Sequence, residues 1–203
     1  MKVAAAVCTD TDPVRAAATV GREAASALGG AADLAVVFAS GAHLLSPERT
    51  LAAITSELSP SSLIGCGAAG VLGAGHEHEA GTAVAVWTAS LGEDGSAESF
   101  NAVVTERDGD GILHGMPELT PDSGLILLTD PYSFPTGPVL DRIADDTPWV
   151  PVLGGLASAA RRPVTARCCS MTASASRALS AFICATSRCC RACRKAPLRS
   201  GAR

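Results

Sequence analysis

One glycine-rich stretch is a candidate for ligand binding or catalysis. It consists of Gly65, Cys66, Gly67, Ala68, Ala69 and Gly70. The spacing G-x-G-x-x-G after a short apolar run is found in dinucleotide-binding loops, but such a loop must open a helix. The residues that follow, 71–75, contain too much glycine for a helix interior. The stretch therefore indicates a tight turn at a strand end, whose backbone N–H groups either meet a small polar or anionic ligand or only serve the loop.

Cys66 lies inside this turn and is a candidate nucleophile. A nucleophilic cysteine needs a histidine base within reach, and His76 is the only histidine nearby in the sequence. The alternative is a small buried thiol at a strand end, which only packs. The first interpretation would make the protein a cysteine-dependent hydrolase, and the second gives Cys66 no catalytic role.

Two later strand ends carry further candidates for a ligand site. Asp130 follows an apolar run and could bind a ligand amine or hydroxyl, or accept N–H groups of its own turn. Gly154 and Gly155 end the last apolar run before residue 160. Ligands of α/β sheets bind at the carboxyl ends of the strands. We therefore predict that residues 65–70, Asp130 and the two glycines line one ligand mouth.

The run His76-Glu77-His78-Glu79 alternates with the period of a strand, which puts both histidines on one face. Two imidazoles on one face could hold a metal with a third ligand from elsewhere. The alternative is a solvated strand entrance. We predict no metal and no cofactor.

Predicted strands and helices alternate at the start of the chain, and they would hold these residues in place. Apolar runs at 2–8, 33–40 and 62–66 predict strands, and capped segments at 13–28 and 47–59 predict helices between them. This βαβαβ order favours parallel pairing with right-handed crossovers.

The pattern then changes. The runs 81–91 and 97–105, joined by glycine-containing turn residues at 92–95, predict an antiparallel hairpin. A strand at 124–130, a helix at about 138–145 and a last strand follow. The predicted fold class is α/β: a mixed sheet with a parallel βαβαβ start and an antiparallel hairpin, with helices packed on the sheet.

Charge divides the 203 residues into two parts. The first 160 residues carry all 20 acidic residues and a net charge of −14, whereas the last 43 carry +10 and six of the eight cysteines. We predict an acidic α/β domain over residues 1–160 and a basic, cysteine-rich tail over 161–203 that is disordered or out of frame. The acidic domain argues against nucleic acid as its partner.

The tail has three alternative explanations. Cys190 and Cys193 form one C-x-x-C pair, but a zinc site usually needs two such pairs, and adjacent cysteine doublets fit poorly. A basic tail could bind nucleic acid, although cysteine doublets have no role there. The third explanation is a reading-frame slip in GC-rich DNA, since residues 168–170 can conceal Leu-Leu-Leu and residues 177–184 a plausible strand. We favour the slip, which predicts a tail without designed structure.

The chain start gives an expectation about location. It is too short and too acidic for a secretion signal, and no apolar run reaches the roughly 18 to 20 residues of a membrane helix. We therefore expect a cytoplasmic protein without membrane insertion.

Taken in order, five stretches resemble the FIST sensory domains of bacteria. They are DLAVVFAS, LIGCGAAGVLGAG, GTAVAVW, LLTDPYSFP and VPVLGGLAS, which together span residues 33–158. The chain departs from the pattern at Val71, where many members have a glutamate.

The resemblance implies a non-catalytic sensory domain for intracellular signal transduction. It implies a small-molecule ligand, an amino acid or similar metabolite, and signalling proteins as possible partners. It also implies a C-terminal half that this chain lacks, and therefore a truncated form. The alternatives are a hydrolase acting through Cys66, or a zinc-binding or nucleic-acid-binding adaptor acting through the tail.

Overall fold

A computed structural model describes residues 1–107 and 110–159, together with the backbone of three later strands. The first elements follow the predicted order. They are strand β1 (Lys2–Cys8), helix α1 (Pro13–Leu28), strand β2 (Leu34–Ser40), a short 3-10 helix (Gly41–Leu45), helix α2 (Pro47–Leu58) and strand β3 (Ser62–Gly67).

Local chemistry explains where α1 begins and ends. The Asp12 carboxylate accepts hydrogen bonds from the N–H groups of Val14 and Arg15, at 3.0 and 2.8 Å. Pro13 occupies the first helical turn, where its missing N–H costs nothing. Gly29 ends the helix with a φ of +67° in the left-handed region.

The remaining elements build further sheets and one more helix. They are β4 (Val71–Gly73), β5 (His76–His78), β6 (Ala83–Ser90), β7 (Ser96–Ser99), β8 (Val103–Arg107), β9 (Asp110–His114), β10 (Gly124–Thr129), α3 (Thr136–Asp146), β11 (Val152–Leu156), β12 (Cys168–Thr172), β13 (Ser180–Cys184) and β14 (Leu198–Ser200). The first sheet has the order β1-β6-β2-β3-β12, and the second has the order β11-β10-β13-β7. Strands β14, β9 and β8 form a third sheet, and β4 pairs with β5.

The two larger sheets pack face to face between helices. One face of the first sheet packs on α1 and α2 through Ala17, Val20, Val37, Ile54, Leu63 and Val86. The opposite face meets the second sheet through Leu34, Val36, Ile64, Cys66, Ala97 and Leu128. The far face of the second sheet packs on α3 through Leu125, Leu127, Val139 and Ile143. Neighbouring residues of β2 thus enter different cores, which explains its continuous apolar run.

The predicted fold class is confirmed: the structure is mixed α/β, with parallel and antiparallel strands. The predicted partner within the hairpin is wrong. Strand β6 pairs antiparallel with β1 and β2, whereas β7 lies in the second sheet. The turn chemistry is present, since Gly95 N–H donates to the Gly92 carbonyl at 3.2 Å. This turn leads from one sheet to the other, and among the described residues the hairpins are β4–β5 and β8–β9.

Three strands of the predicted tail pair with strands of the domain. Strand β12 is antiparallel to β3, β13 lies parallel between β10 and β7, and β14 is parallel to β9. The rest of the tail, with its Cys190 and Cys193, lies outside the described residues. The domain boundary at residue 160 and the reading-frame slip stay predictions, because nothing in the described part of the tail tests them. Within the described part of the chain, no helix is both long enough and apolar enough to cross a membrane.

Candidate functional site

Three strand ends that the sequence assigns to one mouth do meet in the structure. Residues 157–159, directly after β11, connect the end of that strand to the ends of the other two. The N–H of Ala157 donates to the carbonyl of Thr129 at 2.8 Å, at the end of β10. The N–H of Ala159 donates to the carbonyl of Gly67 at 3.2 Å, at the end of β3. The carboxyl ends of β3, β10 and β11 are thus tied together.

The glycine-rich turn after β3 uses part of its backbone within the fold. The N–H of Ala68 donates to the carbonyl of Ala39 at 2.8 Å, and the N–H of Ala69 donates to Ser158 Oγ at 3.0 Å. These two N–H groups therefore already donate to groups of the protein. The prediction was that N–H groups of this turn could bind a ligand.

The glycines of this turn have packing roles. A Cβ on Gly65 would clash with the carbonyl oxygen of Val37 in the neighbouring strand. On Gly67 a Cβ would lie 2.9 Å from the side chains of Ala159 and Leu44, and on Gly70 it would lie 2.7 Å from the carbonyl of His78. The alternative in which the glycines serve the loop thus has direct structural support.

Cys66 is a buried core residue. It is 8% exposed and packs between the two larger sheets with Leu34, Ile64 and Leu128. Burial raises the pKa of its thiol to about 11. The thiolate is the nucleophilic form, so the position does not favour a reactive cysteine.

Asp130 organises its own turn. Its carboxylate accepts the N–H of Tyr132 at 3.0 Å and a short hydrogen bond from the Ser133 hydroxyl. Its backbone carbonyl accepts the N–H of Phe134 at 3.0 Å. Asp130 is 4% exposed, so the structure supports the turn-forming alternative for this residue.

Gly154 and Gly155 lie elsewhere, in an open cleft of about 460 Å³ between β11 and α3. The cleft is lined by Leu127, Thr136, Gly137, Leu140, Val152, Leu153, Gly154, Gly155 and Leu156. Its walls are largely apolar, and Leu153 and Leu156 are 68% and 54% exposed. Thr136 and Gly137 belong to the first turn of α3, which no side chain caps.

The predicted site therefore divides into two places. Residues 65–70 and Asp130 lie where strand ends meet, and none of them lines the cleft. Gly154 and Gly155 line the cleft together with residues of α3, which the sequence analysis did not include. A strand-end glycine signals a close approach of backbone, but it does not show which later helix passes beside it.

His43 and Thr50 are two buried polar residues that carry no signal in the sequence. Both are buried, at 0% and 1% exposed. Within the described residues, Oγ1 of Thr50 has no hydrogen-bond partner. Burial lowers the pKa of His43, and a hydrogen bond with the Asp10 backbone and the charges of Asp10 and Asp12 oppose this effect only in part. A lone histidine between a strand and a helix has no spacing pattern that would reveal it.

Comparison with known families gives one match over most of the chain. The family model of the FIST N domain matches residues 33–190. The match covers the glycine-rich turn, Asp130 and the cleft, and it extends past residue 160, where the sequence places the domain boundary.

Similar curated proteins come from mycobacteria. An uncharacterized protein of Mycobacterium tuberculosis is 35% identical over 164 residues, which are 80% of this chain and 42% of that protein. An uncharacterized protein of Mycobacterium bovis is 32% identical over the same shares of both chains. The chain thus spans less than half the length of these relatives. No solved structure matches significantly.

Proposed function

The chain belongs to the FIST family of sensory domains, and we propose on this premise that it binds a small amino-acid-like metabolite in the cleft between β11 and α3. Binding would be passed to signalling proteins inside the cell. The observation that carries the proposal is the cleft itself, because its volume of about 460 Å³ suits a small metabolite.

The two sides of the cleft suit the two parts of such a ligand. Leu140, Leu153 and Leu156 offer an apolar wall for a side chain. Thr136 and Gly137 lie at the amino end of α3, where the helix dipole favours a negative group. An amino acid presents both an apolar part and a carboxylate, so this chemistry supports the amino-acid class.

The proposed function does not include catalysis. The family is of a sensory, non-catalytic type, and the one described cysteine at the glycine-rich turn is buried with a raised pKa. A hydrolase would need a thiolate that substrate can reach. Binding alone therefore accounts better for the arrangement of Cys66.

Ligand screening followed by calorimetry tests the proposal. The twenty amino acids are added one at a time, and thermal unfolding is monitored, because a ligand that binds only the folded state raises Tm. We expect at least one of them to raise Tm and to give a saturable heat of binding.

Two glycine variants test whether the ligand binds in the cleft between β11 and α3. A Cβ on Gly155 or on Gly124 would meet no atom within 4 Å, and only Gly155 lines the cleft. Gly155→Val should therefore weaken binding at least tenfold, and Gly124→Val should leave it unchanged. If no amino acid binds, or if Gly155→Val binds as well as the parent protein, the proposed site is wrong.

A further inference from the structure

The pairing of β12 with β3 brings two cysteines to one register position, and we propose that they form a reversible disulfide. Cys168 of β12 is the register partner of Cys66 of β3 in an antiparallel ladder. Oxidation joins the two strands covalently, and reduction returns two thiols. The pair belongs to the first sheet, whereas the cleft lies between β11 and α3. The proposal therefore does not depend on the proposed function.

The register of the two strands rests on a run of pairs. Five consecutive residues of β12 pair with β3, from Cys168 opposite Cys66 to Thr172 opposite Ser62. On its other side, β3 pairs parallel with β2, where Phe38 is the register partner of Cys66. Cys66 thus has a defined position between two neighbouring strands.

The separation of opposite residues in such a ladder suits a disulfide. In antiparallel pairs the Cα atoms of directly opposite residues lie about 4.5 or 5.5 Å apart. Disulfides usually join Cα atoms that are about 4.4 to 6.8 Å apart. Directly opposite residues also belong to the same face of the sheet. The backbones of β3 and β12 can therefore accept the bond without a change of register.

The neighbouring cysteine of β12 has the wrong position for this bond. Cys169 is the register partner of Gly65, and successive residues of a strand belong to opposite faces. Cys66 packs on the face toward the second sheet, with Leu34 and Leu128. Cys169 therefore belongs to the other face of the first sheet, and the ladder selects Cys168.

Two further cysteines of the described elements are placed elsewhere. Cys8 belongs to β1, and β6 and β2 lie between β1 and β3. Three strand spacings separate β1 from β3, about 14 Å in all, and a disulfide does not bridge Cα atoms more than about 7 Å apart. Cys184 belongs to the second sheet, where its register partner Leu127 packs toward α3 and away from the first sheet.

The surroundings of Cys66 suit the oxidised form. Cys66 is a free thiol in the part of the chain that the structure describes, and its neighbours in the core are apolar. Burial raises the pKa of this thiol to about 11, because the thiolate is poorly solvated there. A disulfide carries no charge, so an apolar face accepts it without that penalty. The same burial makes Cys66 the slower of the two thiols to react.

The disulfide forms by exchange with a low-molecular-weight disulfide, for which oxidised glutathione serves as the oxidant. The Cys168 thiolate attacks one glutathione sulfur, forms a mixed disulfide and releases one glutathione. The Cys66 thiolate then attacks the Cys168 sulfur and releases the second glutathione. Two protein thiols are oxidised, one glutathione disulfide is reduced to two thiols, and both protons pass to glutathione.

Oxidation followed by peptide mapping tests the pair in the parent protein. The protein is equilibrated with reduced and oxidised glutathione and quenched with acid. The remaining thiols are blocked with N-ethylmaleimide in denaturant, and the linked peptides are sequenced by mass spectrometry. We expect Cys66 to be linked mainly to Cys168, and dithiothreitol should restore both thiols. If Cys66 stays a thiol, or if it is linked equally to Cys169, the proposed disulfide is wrong.

Two serine variants of adjacent residues form a matched pair. Cys168→Ser should abolish the oxidation of Cys66, whereas Cys169→Ser should leave it unchanged. Equal effects of the two changes would overturn the proposal.

Oxidation of the parent protein in urea shows whether the fold selects the pair. The preference of Cys66 for Cys168 over Cys169 should disappear there, because unfolding removes the register between β3 and β12. A preference that persists in urea would contradict selection by the ladder.

Discussion

The hydroxyl oxygen of Ser158 accepts a hydrogen bond from the backbone N–H of Ala69 at 3.0 Å. Ser158 follows β11 in the second sheet, and Ala69 follows β3 in the first. This bond and the neighbouring one from Ala159 N–H to the Gly67 carbonyl hold the carboxyl ends of the two sheets together.

Loss of the Ser158 hydroxyl should therefore act locally. We expect Ser158→Ala to lower the free energy of unfolding by no more than about 1 kcal/mol, because the bond is exposed to solvent. The Ala69 amide should nevertheless exchange its hydrogen several times faster, which hydrogen-exchange NMR measures. An unchanged Ala69 exchange rate would show that this bond does not protect the turn.

Gly154 should be far less tolerant of a side chain than its neighbour. Its φ of +142° is a region that L side chains rarely adopt, and a Cβ there would overlap the backbone of Leu127. Gly154→Ala should lower the free energy of unfolding by about 2 kcal/mol or more. Gly155→Ala is the control, since its Cβ meets nothing within 4 Å and should change stability by less than about 0.5 kcal/mol. Urea unfolding measures the free energy of unfolding of both variants. An equal loss in the two variants would contradict the backbone geometry at Gly154.

Cys66 should react slowly with iodoacetamide under native conditions. With the thiol pKa raised to about 11, roughly one molecule in a thousand carries the thiolate at pH 8. Digestion and mass spectrometry at timed intervals give the rate for this residue, which should recover in denaturant. Fast native modification well below pH 8 would instead restore the interpretation of Cys66 as a catalytic nucleophile.

The buried His43 should make stability depend on pH. Its pKa is lowered in the folded protein, mainly by burial, relative to the ordinary value of 6.5. The unfolded chain therefore binds a proton more readily, so the free energy of unfolding should fall as the pH drops below about 6.5. Above about pH 7 the ring is neutral in both states and has no effect. His43→Leu should weaken this dependence in urea titrations between pH 7.5 and pH 5, and His76→Gln, which changes an exposed histidine, should keep it. The same slope in all three proteins would contradict the prediction.

The edge strand β11, with its two exposed leucines, should promote association between molecules. Among the described residues β11 is an edge strand with no charged residue, and its Leu153 and Leu156 are exposed. The double change Leu153→Lys and Leu156→Lys should lower self-association in reducing buffer, as measured by sedimentation velocity. Leu72→Lys is the control, because Leu72 is also highly exposed but lies in β4. A similar effect of both changes would show that added lysines lower self-association wherever they are placed, and not because they lie in β11.

The start of the fold was predictable because its signals are local. Asp12, Pro13 and Gly29 mark both ends of α1, and the apolar runs of β2 and β3 are bounded by turn residues. The partner of β6 was not predictable in this way. Its neighbours β1 and β2 lie about fifty or more residues earlier, and the short turn toward β7 suggested a simpler pairing.

The candidate site was only partly predictable for the same reason. Glycines at strand ends were found, but their roles depend on what passes beside them. The carbonyl of Val37 lies against Gly65, the backbone of Leu127 lies against Gly154, and only open space lies beside Gly155. These neighbours are distant in sequence. His43 was missed because its significance comes from its burial in the folded chain.

The placement of the two tryptophans gives the molecule two separate optical probes. Trp87 packs in the core between the two larger sheets, whereas Trp149 is 52% exposed and lies three residues before β11. Separation of the sheets should therefore shift the emission of Trp87 to longer wavelength. Events at the cleft should instead change how readily iodide quenches Trp149, so unfolding and ligand arrival can be followed in one sample without an added dye.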